Sequence, residues 1–198
     1  MKLTLIAAMD EERGIGKDNQ LPLWNAPGDL KRFKALTTSK VVIMGRRTFE
    51  SIRDATPAGK EILPERLKIV VSTTMEPDEH KVLVVDTLEF AIHFAKSMIK
   101  KFNMLDDIMI IGGGRLYQAA LPIASTLQLT MIKGIYKCDT FFPEFQKLKK
   151  WVLSSSEEFE THSFHTYDRD SSDSNEPQPT EPTPISPSTI GEAIKEPT

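Results

Sequence analysis

One carboxylate in the segment 21–34 is the side chain of this sequence best placed to do chemistry. Asp29 follows two prolines and a tryptophan, and it opens the first turn of a predicted amphipathic helix between apolar Leu30 and Phe33. A carboxylate among apolar side chains is costly unless a cationic or amide-like group pairs with it. This placement predicts a site in which Asp29 binds the polar edge of a ligand and takes part in proton transfer.

Two segments that follow predicted strands indicate phosphate binding. Three glycines begin the segment 112–117, between a strand and a helix, where bare backbone and a helix N-terminus suit a diphosphate. The segment departs from the GxGxxG fingerprint because its sixth position is Tyr117, and a tight turn without a ligand is the alternative. The segment 45–48, Gly-Arg-Arg-Thr, has the same placement, and the pair 72–73, Ser-Thr, ends the next strand. Together these segments favour binding of a dinucleotide with a 2′-phosphate, because the planar, always charged guanidinium of arginine suits phosphate. The alternative for the two arginines is a solvated pair of surface charges.

The elements that must position these residues alternate between strand-like and helical patterns. Such alternation is typical of an α/β domain with a largely parallel sheet. An apolar stripe of helical period follows Val85, and Asp86 with Glu89 is its predicted capping pair. The predicted strands are 3–9, 40–44, 67–71, 81–85, 107–111, 127–133, 151–159 and 164–167, and the last ones close the sheet in antiparallel fashion. The predicted helices are 29–36, with Leu30, Phe33 and Leu36 on one face, 48–52, 86–99 and 115–121.

Charge and composition divide the chain into a body, 1–169, and a tail, 170–198. From residue 171 on there are five acids and one base, a sum of −4, so the net charge of −3 leaves the rest at +1. A nearly neutral body argues against nucleic-acid binding, which needs many cations. The tail holds six of the 13 prolines and no aromatic residue, which predicts disorder.

The remaining sequence features exclude several classes of protein. Because Cys138 is the only cysteine, an intrachain disulfide is impossible, which suits a reducing, cytoplasmic location. We interpret Cys138 as a thiol without a role, and a nucleophile is the alternative. The apolar run 1–9 is too short for a signal peptide, and no segment has the length of a membrane span. His162 and His165 are three apart on a predicted strand and therefore face opposite sides, so no metal site is expected.

An ordered series of motifs runs from about Lys2 to Tyr167. The motifs are Ile6-Ala7-Ala8, Gly14-Ile15-Gly16, Leu21-Pro22 with Trp24, Asp29-Leu30 with Phe33, the run from Val42 to Ile52, Ile110 to Gly114 with Tyr117, and Asp139-Thr140 before Phe142-Pro143. In this order the motifs resemble those of the dihydrofolate reductase family.

The resemblance implies a single α/β domain with a mostly parallel central sheet, an antiparallel C-terminal hairpin and helices on both faces. It also implies NADPH-dependent reduction of dihydrofolate to tetrahydrofolate, with hydride transfer to pterin C6 and protonation of N5 assisted by Asp29. The substrate would be a small molecule, and the enzyme would be monomeric, without nucleic acid, membrane or metal.

The resemblance also implies a role for particular residues. Catalysis would rest on Asp29, on Thr130 as the hydrogen-bond support of its carboxylate, and on Trp24 in a mobile lid, 14–24. Beside Asp29 and Thr130, the substrate would be bound by Ile6, Leu30, Phe33, Ile52, Arg66, Ile111 and Tyr117. NADPH would be bound by Ala8, Gly14, Ile15, Gly16, Gln20, Arg46, Arg47, Thr48, Ser72, Thr73, Ile111, Gly112, Gly113, Gly114, Arg115, Leu116 and Tyr117.

Some assignments stay open at this level. Leu23 is an apparent insertion, so either it or Trp24 takes the lid position of the family's tryptophan. The segment 53–63 is longer than in compact bacterial members, which makes Arg53 a rival of Arg66 for the glutamate of folate. The alternative functions are the related NADPH-dependent pyrimidine reductase of riboflavin synthesis and a non-catalytic folate- or nucleotide-binding module.

Overall fold

Short runs of aliphatic residues form the strands of an eight-stranded sheet in the computed structural model, which describes residues 1–22, 24–76, 82–148 and 150–170. Most of these strands are buried on both faces, as expected for parallel strands covered by helices. The strands are β1 (Lys2–Met9), β2 (Gly14–Gly16), β3 (Val41–Gly45), β4 (Leu67–Val71), β5 (Leu83–Val85), β6 (Asp107–Ile110), β7 (Thr126–Ile132), β8 (Thr140–Phe141), β9 (Trp151–Glu158) and β10 (His162–Arg169). The helices are α1 (Asp29–Thr37), α2 (Arg46–Ala55), α3 (Leu88–Phe102) and α4 (Gly114–Ala120).

The main sheet has the strand order β5-β4-β3-β6-β1-β7-β10-β9. Every pair from β5 to β7 is parallel, whereas β10 runs antiparallel to both β7 and β9. The predicted parallel sheet with an antiparallel C-terminal hairpin is therefore confirmed. Strands β2 and β8 form a separate two-stranded sheet that the sequence did not predict; both are too short to show an alternating pattern.

Helices cover both faces of the sheet, as predicted. On one face Phe33 of α1 and Phe49 of α2 pack with Val42 and Met44 of β3. On the other face α3 and α4 pack against the alternate residues of β3, represented by Ile43. The alternation of strand side chains thus supplies two apolar layers, and the connections place the starts of α1, α2 and α4 at one edge of the sheet.

Three local predictions need correction. Helix α3 is capped by Thr87, whose hydroxyl accepts a 3.1 Å hydrogen bond from Phe90 N–H, and not by the pair Asp86 and Glu89. Thr87 has extended backbone angles and lies three residues before its donor, which is the geometry of an N-cap. Helix α2 begins at Arg46, two residues earlier than predicted. In α1, Leu30 is 78% exposed and does not belong to the buried stripe.

The prediction that His162 and His165 face opposite sides is confirmed by the contacts of β10. His162 packs against Phe159 and Phe164, whereas His165 hydrogen-bonds Ser163 and Tyr167 on the opposite side. Within the described ranges no group of three potential metal ligands occurs, and no helix is long and apolar enough to span a membrane. The predictions about Leu23, about Lys81 as a strand residue and about the tail beyond residue 170 concern residues outside those ranges.

Candidate active site

The candidate site lies at the edge of the sheet where the parallel strands end. Strands β3, β4 and β6 run in the same direction, so their carboxyl ends meet there. In such sheets, ligands bind outside the carboxyl ends of the strands. The segments that follow β3, β4 and β6 are the ones in which the sequence predicts phosphate-binding residues.

Asp29 is held by a hydrogen bond from the neighbouring strand. The Thr130 hydroxyl of β7 donates to Asp29 Oδ1 at 2.6 Å. Thr130 is almost fully buried, whereas Asp29 is half-buried at the first position of α1. A carboxylate in the first turn is favoured by the helix dipole, and a buried hydroxyl fixes its direction. The structure therefore brings together the two residues expected to act on the substrate.

The glycine turn, Gly112–Gly114, closes against the start of α2. Gly112 has φ 130°, its peptide bond to Gly113 is cis, and its carbonyl accepts a 2.7 Å hydrogen bond from Gly45 N–H. A Cβ at Gly112 or Gly113 would lie 3.2 Å from Thr48 Oγ1, and one at Gly114 would lie 3.1 Å from the Phe141 carbonyl oxygen. A side chain at these positions would require its neighbours to shift, so glycine is favoured and bare backbone lies at the surface of the turn.

Tyr117 joins α4 to the first strand below this turn. Its hydroxyl donates to the Ile6 carbonyl at 2.6 Å, and both residues are buried. Burial raises the pKa of Tyr117 well above its ordinary value, so the hydroxyl stays a neutral donor. Ile111 is also buried, and its N–H donates to Ile43 at 2.9 Å. The structure thus places Ile6, Ile111 and Tyr117 together, as the family resemblance implies.

The two arginines at the start of α2 differ in their contacts. Arg46 forms a 3.3 Å ion pair with Glu50, one turn further along the helix. Arg47 is exposed, and Gly45, the N-cap of α2, makes no side-chain cap hydrogen bond. Uncapped N–H groups at a helix start attract anions. Ser72 lies after the next strand and accepts hydrogen bonds from two backbone N–H groups through its hydroxyl.

Arg66 is the better placed of the two candidates for a substrate carboxylate. It is nearly buried, donates to the Thr37 hydroxyl at 2.8 Å and to the Pro64 carbonyl at 2.6 Å, and lies 6.0 Å from the centre of the Phe33 ring. Burial lowers the pKa of Arg66 from its ordinary value, with an opposing effect from Glu65. Arg53, in contrast, pairs with its exposed neighbour Asp54.

The lid segment is fixed at its base by Asp10, a residue that sequence reasoning missed. This buried carboxylate accepts hydrogen bonds from the N–H groups of Glu12, Gly14 and Tyr136 at 2.7–2.9 Å. The Cys138 thiol lies beside it, and burial together with Asp10 raises the pKa of that thiol. A raised pKa disfavours the nucleophilic thiolate, which supports the interpretation of Cys138 as a thiol without a catalytic role.

Further along, the lid contacts the segment before β8. Asp139 accepts a 2.9 Å hydrogen bond from Asp18 N–H, and this bond together with the Thr140 hydroxyl lowers the pKa of Asp139. Trp24 is half-buried, and its ring meets Tyr136 edge-on at 5.8 Å. Ile15 and Gln20 also lie in this segment, where Ile15 is buried and Gln20 exchanges backbone hydrogen bonds with Lys17.

A cavity of about 780 Å³ lies behind the glycine turn and is separate from Asp29. Its lining includes Gly114 and Arg115, residues of the segment 139–144, and Leu148, Lys150 and Trp151. None of the predicted substrate-binding residues lines it, so the volume of this cavity gives no information on the substrate.

Comparisons with known proteins find relatives that match most of the chain. The family model described as dihydrofolate reductase matches residues 2–174. A dihydrofolate reductase of Haemophilus influenzae is 41% identical over 157 residues, which are 79% of this chain and 88% of the relative. A type 3 dihydrofolate reductase of Salmonella typhimurium is 42% identical over 148 residues, which are 75% and 82% of the two chains. Among solved structures, the dihydrofolate reductase of Enterococcus faecalis complexed with NADP(H) and RAB-propyl has a TM-score of 0.70 at 30% identity, covering 85% of this chain and 96% of its own.

Proposed function

This chain belongs to the dihydrofolate reductase family, and we propose that its site around Asp29 carries out the family's reaction. The protein is an NADPH-dependent oxidoreductase that reduces dihydrofolate to tetrahydrofolate. Family membership argues against the pyrimidine reductase and against the non-catalytic binding module. The observation that carries the assignment of the site is the 2.6 Å hydrogen bond between Thr130 and Asp29.

Asp29 is the catalytic residue of this proposal. Its Oδ1 accepts the Thr130 hydroxyl, which leaves Oδ2 to accept N–H groups from the aminopyrimidine edge of the pterin. A carboxylate held at that edge assists the protonation of N5 through a water molecule. Thr130 acts in this scheme through the Asp29 carboxylate that it holds, and it is therefore a positioning residue at the proposed substrate site.

The glycine turn and the start of α2 fit the diphosphate of NADPH, because a Cβ at Gly112 or Gly113 would fill the space beside Thr48. The bound cofactor supplies the hydride, so this chain needs no nucleophile of its own. Arg47 is the proposed ligand of the 2′-phosphate, since Arg46 is already paired with Glu50. The other proposed cofactor residues are Ala8, Gly14, Ile15, Gly16, Gln20, Thr48, Ser72, Thr73, Ile111, Gly114, Arg115, Leu116 and Tyr117.

The remaining substrate contacts are proposed on α1 and on the neighbouring strand ends. Arg66 is proposed to bind the glutamate carboxylate beside Phe33, because Arg53 is committed to a surface pair. Ile6, Leu30, Ile52 and Ile111 are proposed to wall the pterin and the aminobenzoyl group. A side chain that a bound substrate covers is exposed when no substrate is bound, so the exposure of Leu30 is consistent with this role. Trp24 would close the lid over the reacting rings and exclude water.

The function is tested by measuring NADPH oxidation by the purified protein with and without dihydrofolate. We expect oxidation to depend on dihydrofolate, and Asp29→Asn to lower turnover by about 10²–10⁴-fold, the usual effect of losing a general acid or base. Asp106→Asn is the matched control, since Asp106 is an exposed carboxylate before β6, at the opposite edge of the sheet. Near-normal turnover of Asp29→Asn would refute the catalytic role of Asp29. Equal NADPH oxidation with and without dihydrofolate would refute dihydrofolate as the substrate.

We infer from the sequence that the chain acts as a monomer in the cytoplasm. The lone cysteine suits a reducing compartment, and the nearly neutral body gives no indication of a nucleic-acid partner. The mass of the purified protein by light scattering tests the monomer, and a mass twice that of the chain would contradict it.

A further inference from the structure

We propose that Arg32 is a positioning residue that anchors the first turn of α1 to the sheet and thereby keeps Asp29 against Thr130. The inference rests on the proposed function of Asp29. It concerns a residue that neither the motifs nor the phosphate-binding segments include, and whose contacts all lie away from the cofactor residues.

The first turn of α1 has little apolar packing to hold it. The apolar contacts of this helix come from Phe33 and Leu36, and its fully buried residue is Thr37, all beyond the first turn. Leu30, in the first turn, is 78% exposed. Gly28 caps the helix in the left-handed region, with φ 91° and no side-chain hydrogen bond. The position of Asp29 therefore depends on the polar contacts of its own turn.

Arg32 supplies such contacts to two strands. Its Nη2 donates to Gln128 Oε1 of β7 at 2.5 Å, and its Cζ lies 4.7 Å from the centre of the Phe164 ring of β10. Gln128 is in turn oriented by the Thr166 hydroxyl, which donates to the same oxygen at 3.0 Å. A planar guanidinium can donate to an amide and stack on a ring at once, which a lysine ammonium does less well.

These contacts and the Asp29 contact share one face of the sheet. Gln128 and Thr130 are two residues apart on β7, so both side chains point to the same side. Phe164 is the register partner of Thr130, and Thr166 is the partner of Gln128. Helix α1 is thus fixed at neighbouring points by Asp29 and Arg32, three residues apart on the helix.

The charges around Arg32 are consistent with this anchoring. Burial lowers the pKa of Arg32, while the carboxylates of Asp29 and Glu157 act in the opposite direction. Glu157 lies on β9, as the register partner of Phe164. The guanidinium is thus placed between a carboxylate on its own helix and one on the hairpin, which adds an electrostatic attraction between α1 and the hairpin.

The test compares Arg32→Met with Lys31→Met, a matched loss of charge at an exposed neighbour in the same turn. The single-turnover rate of NADPH oxidation on mixing with dihydrofolate is measured, because product release does not limit it. We expect Arg32→Met to lower this rate by about 10- to 100-fold, the effect of misplacing a catalytic group by about 1 Å. The Kd of NADPH should match that of Lys31→Met, and Arg32→Lys should recover part of the rate.

A second variant tests the same contact from the strand. Gln128→Leu should lower the single-turnover rate by no more than Arg32→Met does, since it leaves the contact of Arg32 with Phe164. The double variant should lose no more than Arg32→Met alone, because Arg32→Met already removes the bond to Gln128. Additive losses, or a parallel loss of NADPH affinity, would assign Arg32 a general structural role and overturn the proposal. Dihydrofolate-dependent oxidation by the unaltered protein is measured first: its absence refutes the proposed function, whereas its presence with an unaffected Arg32→Met refutes only the role of Arg32.

Discussion

The Thr130 hydroxyl determines how the Asp29 carboxylate is held. The two residues are 101 positions apart in the sequence, yet their side chains are 2.6 Å apart in the fold. A carboxylate with one oxygen bonded to a rigid strand loses less freedom when it binds a ligand than a freely rotating one, so pre-organisation increases affinity. The same restriction keeps the acceptor in place for proton transfer.

At the residue scale, Arg47 is expected to distinguish NADPH from NADH. Arg47→Ala should raise the KM for NADPH by about 10- to 100-fold, because a hydrogen bond between charged groups contributes roughly 1.5–3 kcal/mol. The KM for NADH should change little, since NADH lacks the 2′-phosphate. Steady-state kinetics with both cofactors measures this. Arg46→Ala is the control, as Arg46 is paired with Glu50; equal losses for both cofactors in Arg47→Ala would place the phosphate elsewhere.

The chemistry of single residues was only partly predictable from the sequence. Asp29 could be recognised because a carboxylate at the start of an apolar helix is unusual, whereas Thr130 came only from the family resemblance. Asp10 and Arg32 were not recognised, because Asp10 accepts from backbone N–H groups, two of them nearby and one distant, and Arg32 donates to a glutamine of a distant strand. Contacts of that kind leave no periodic pattern along the chain.

At the element scale, the helices differ in whether a side chain caps their first turn. Helices α1 and α2 begin at the carboxyl edge of the sheet with glycines in the cap position and no side-chain cap. Helix α3 begins with a threonine that satisfies its own first turn. Uncapped starts leave N–H groups free for a ligand, whereas a capped start serves stability alone. The absence of a side-chain cap on α2 is therefore consistent with the proposed binding of a ligand at its start.

The cap of α3 yields a stability prediction that discriminates between two neighbouring residues. Thr87→Ala should lower the free energy of unfolding by about 1 kcal/mol, the typical cost of removing an N-cap side chain. Asp86→Ala should change it by less than about 0.5 kcal/mol, as is usual at an exposed position. Urea unfolding of both variants measures the difference. A larger loss in Asp86→Ala would favour the predicted capping pair over the cap seen in the structure.

The elements themselves were largely predictable because their patterns are strong. Buried runs such as Val41–Gly45 and Leu67–Val71 matched the predicted strands closely. Strand β2, with three residues, and β8, with two, are set by pairing between distant segments and not by propensity. Helix boundaries failed where a tertiary contact decides the first residue, as at Arg46 of α2.

At the scale of the whole molecule, the fold depends on how the antiparallel hairpin joins the parallel sheet. Asp168 of β10 accepts a 2.8 Å hydrogen bond from the Thr126 hydroxyl of β7 and lies 3.9 Å from Lys2 of β1. Arg169 donates to the carbonyls of Leu121 and Ala124, which lie in the segment between α4 and β7. Several elements therefore meet at the end of β10, on the edge of the sheet opposite the candidate site.

This junction predicts a loss of stability in acid. Hydrogen bonds from Ser154 and Thr126, together with Lys2, lower the pKa of Asp168 below its ordinary value of 3.8. The folded state therefore binds a proton less readily than the unfolded state does. The stabilisation from Asp168 is complete above the unfolded pKa and is lost as the pH falls through the lowered, folded one.

The comparison of wild type with Asp168→Asn at pH 6 and near pH 3 tests this sign. Wild type should be the more stable protein at pH 6, and the difference in the free energy of unfolding should shrink near pH 3, because the unfolded chain takes up a proton at Asp168 below the ordinary pKa of 3.8. Asp139 also has a lowered pKa, but it bonds the lid and not the sheet, so Asp139→Asn should leave the stability of the sheet nearly unchanged. A difference for Asp168→Asn that stays constant or grows toward acid would mean that the folded protein does not favour the charged form of Asp168. The hairpin junction would then owe its stability to its backbone pairing and to Arg169 alone.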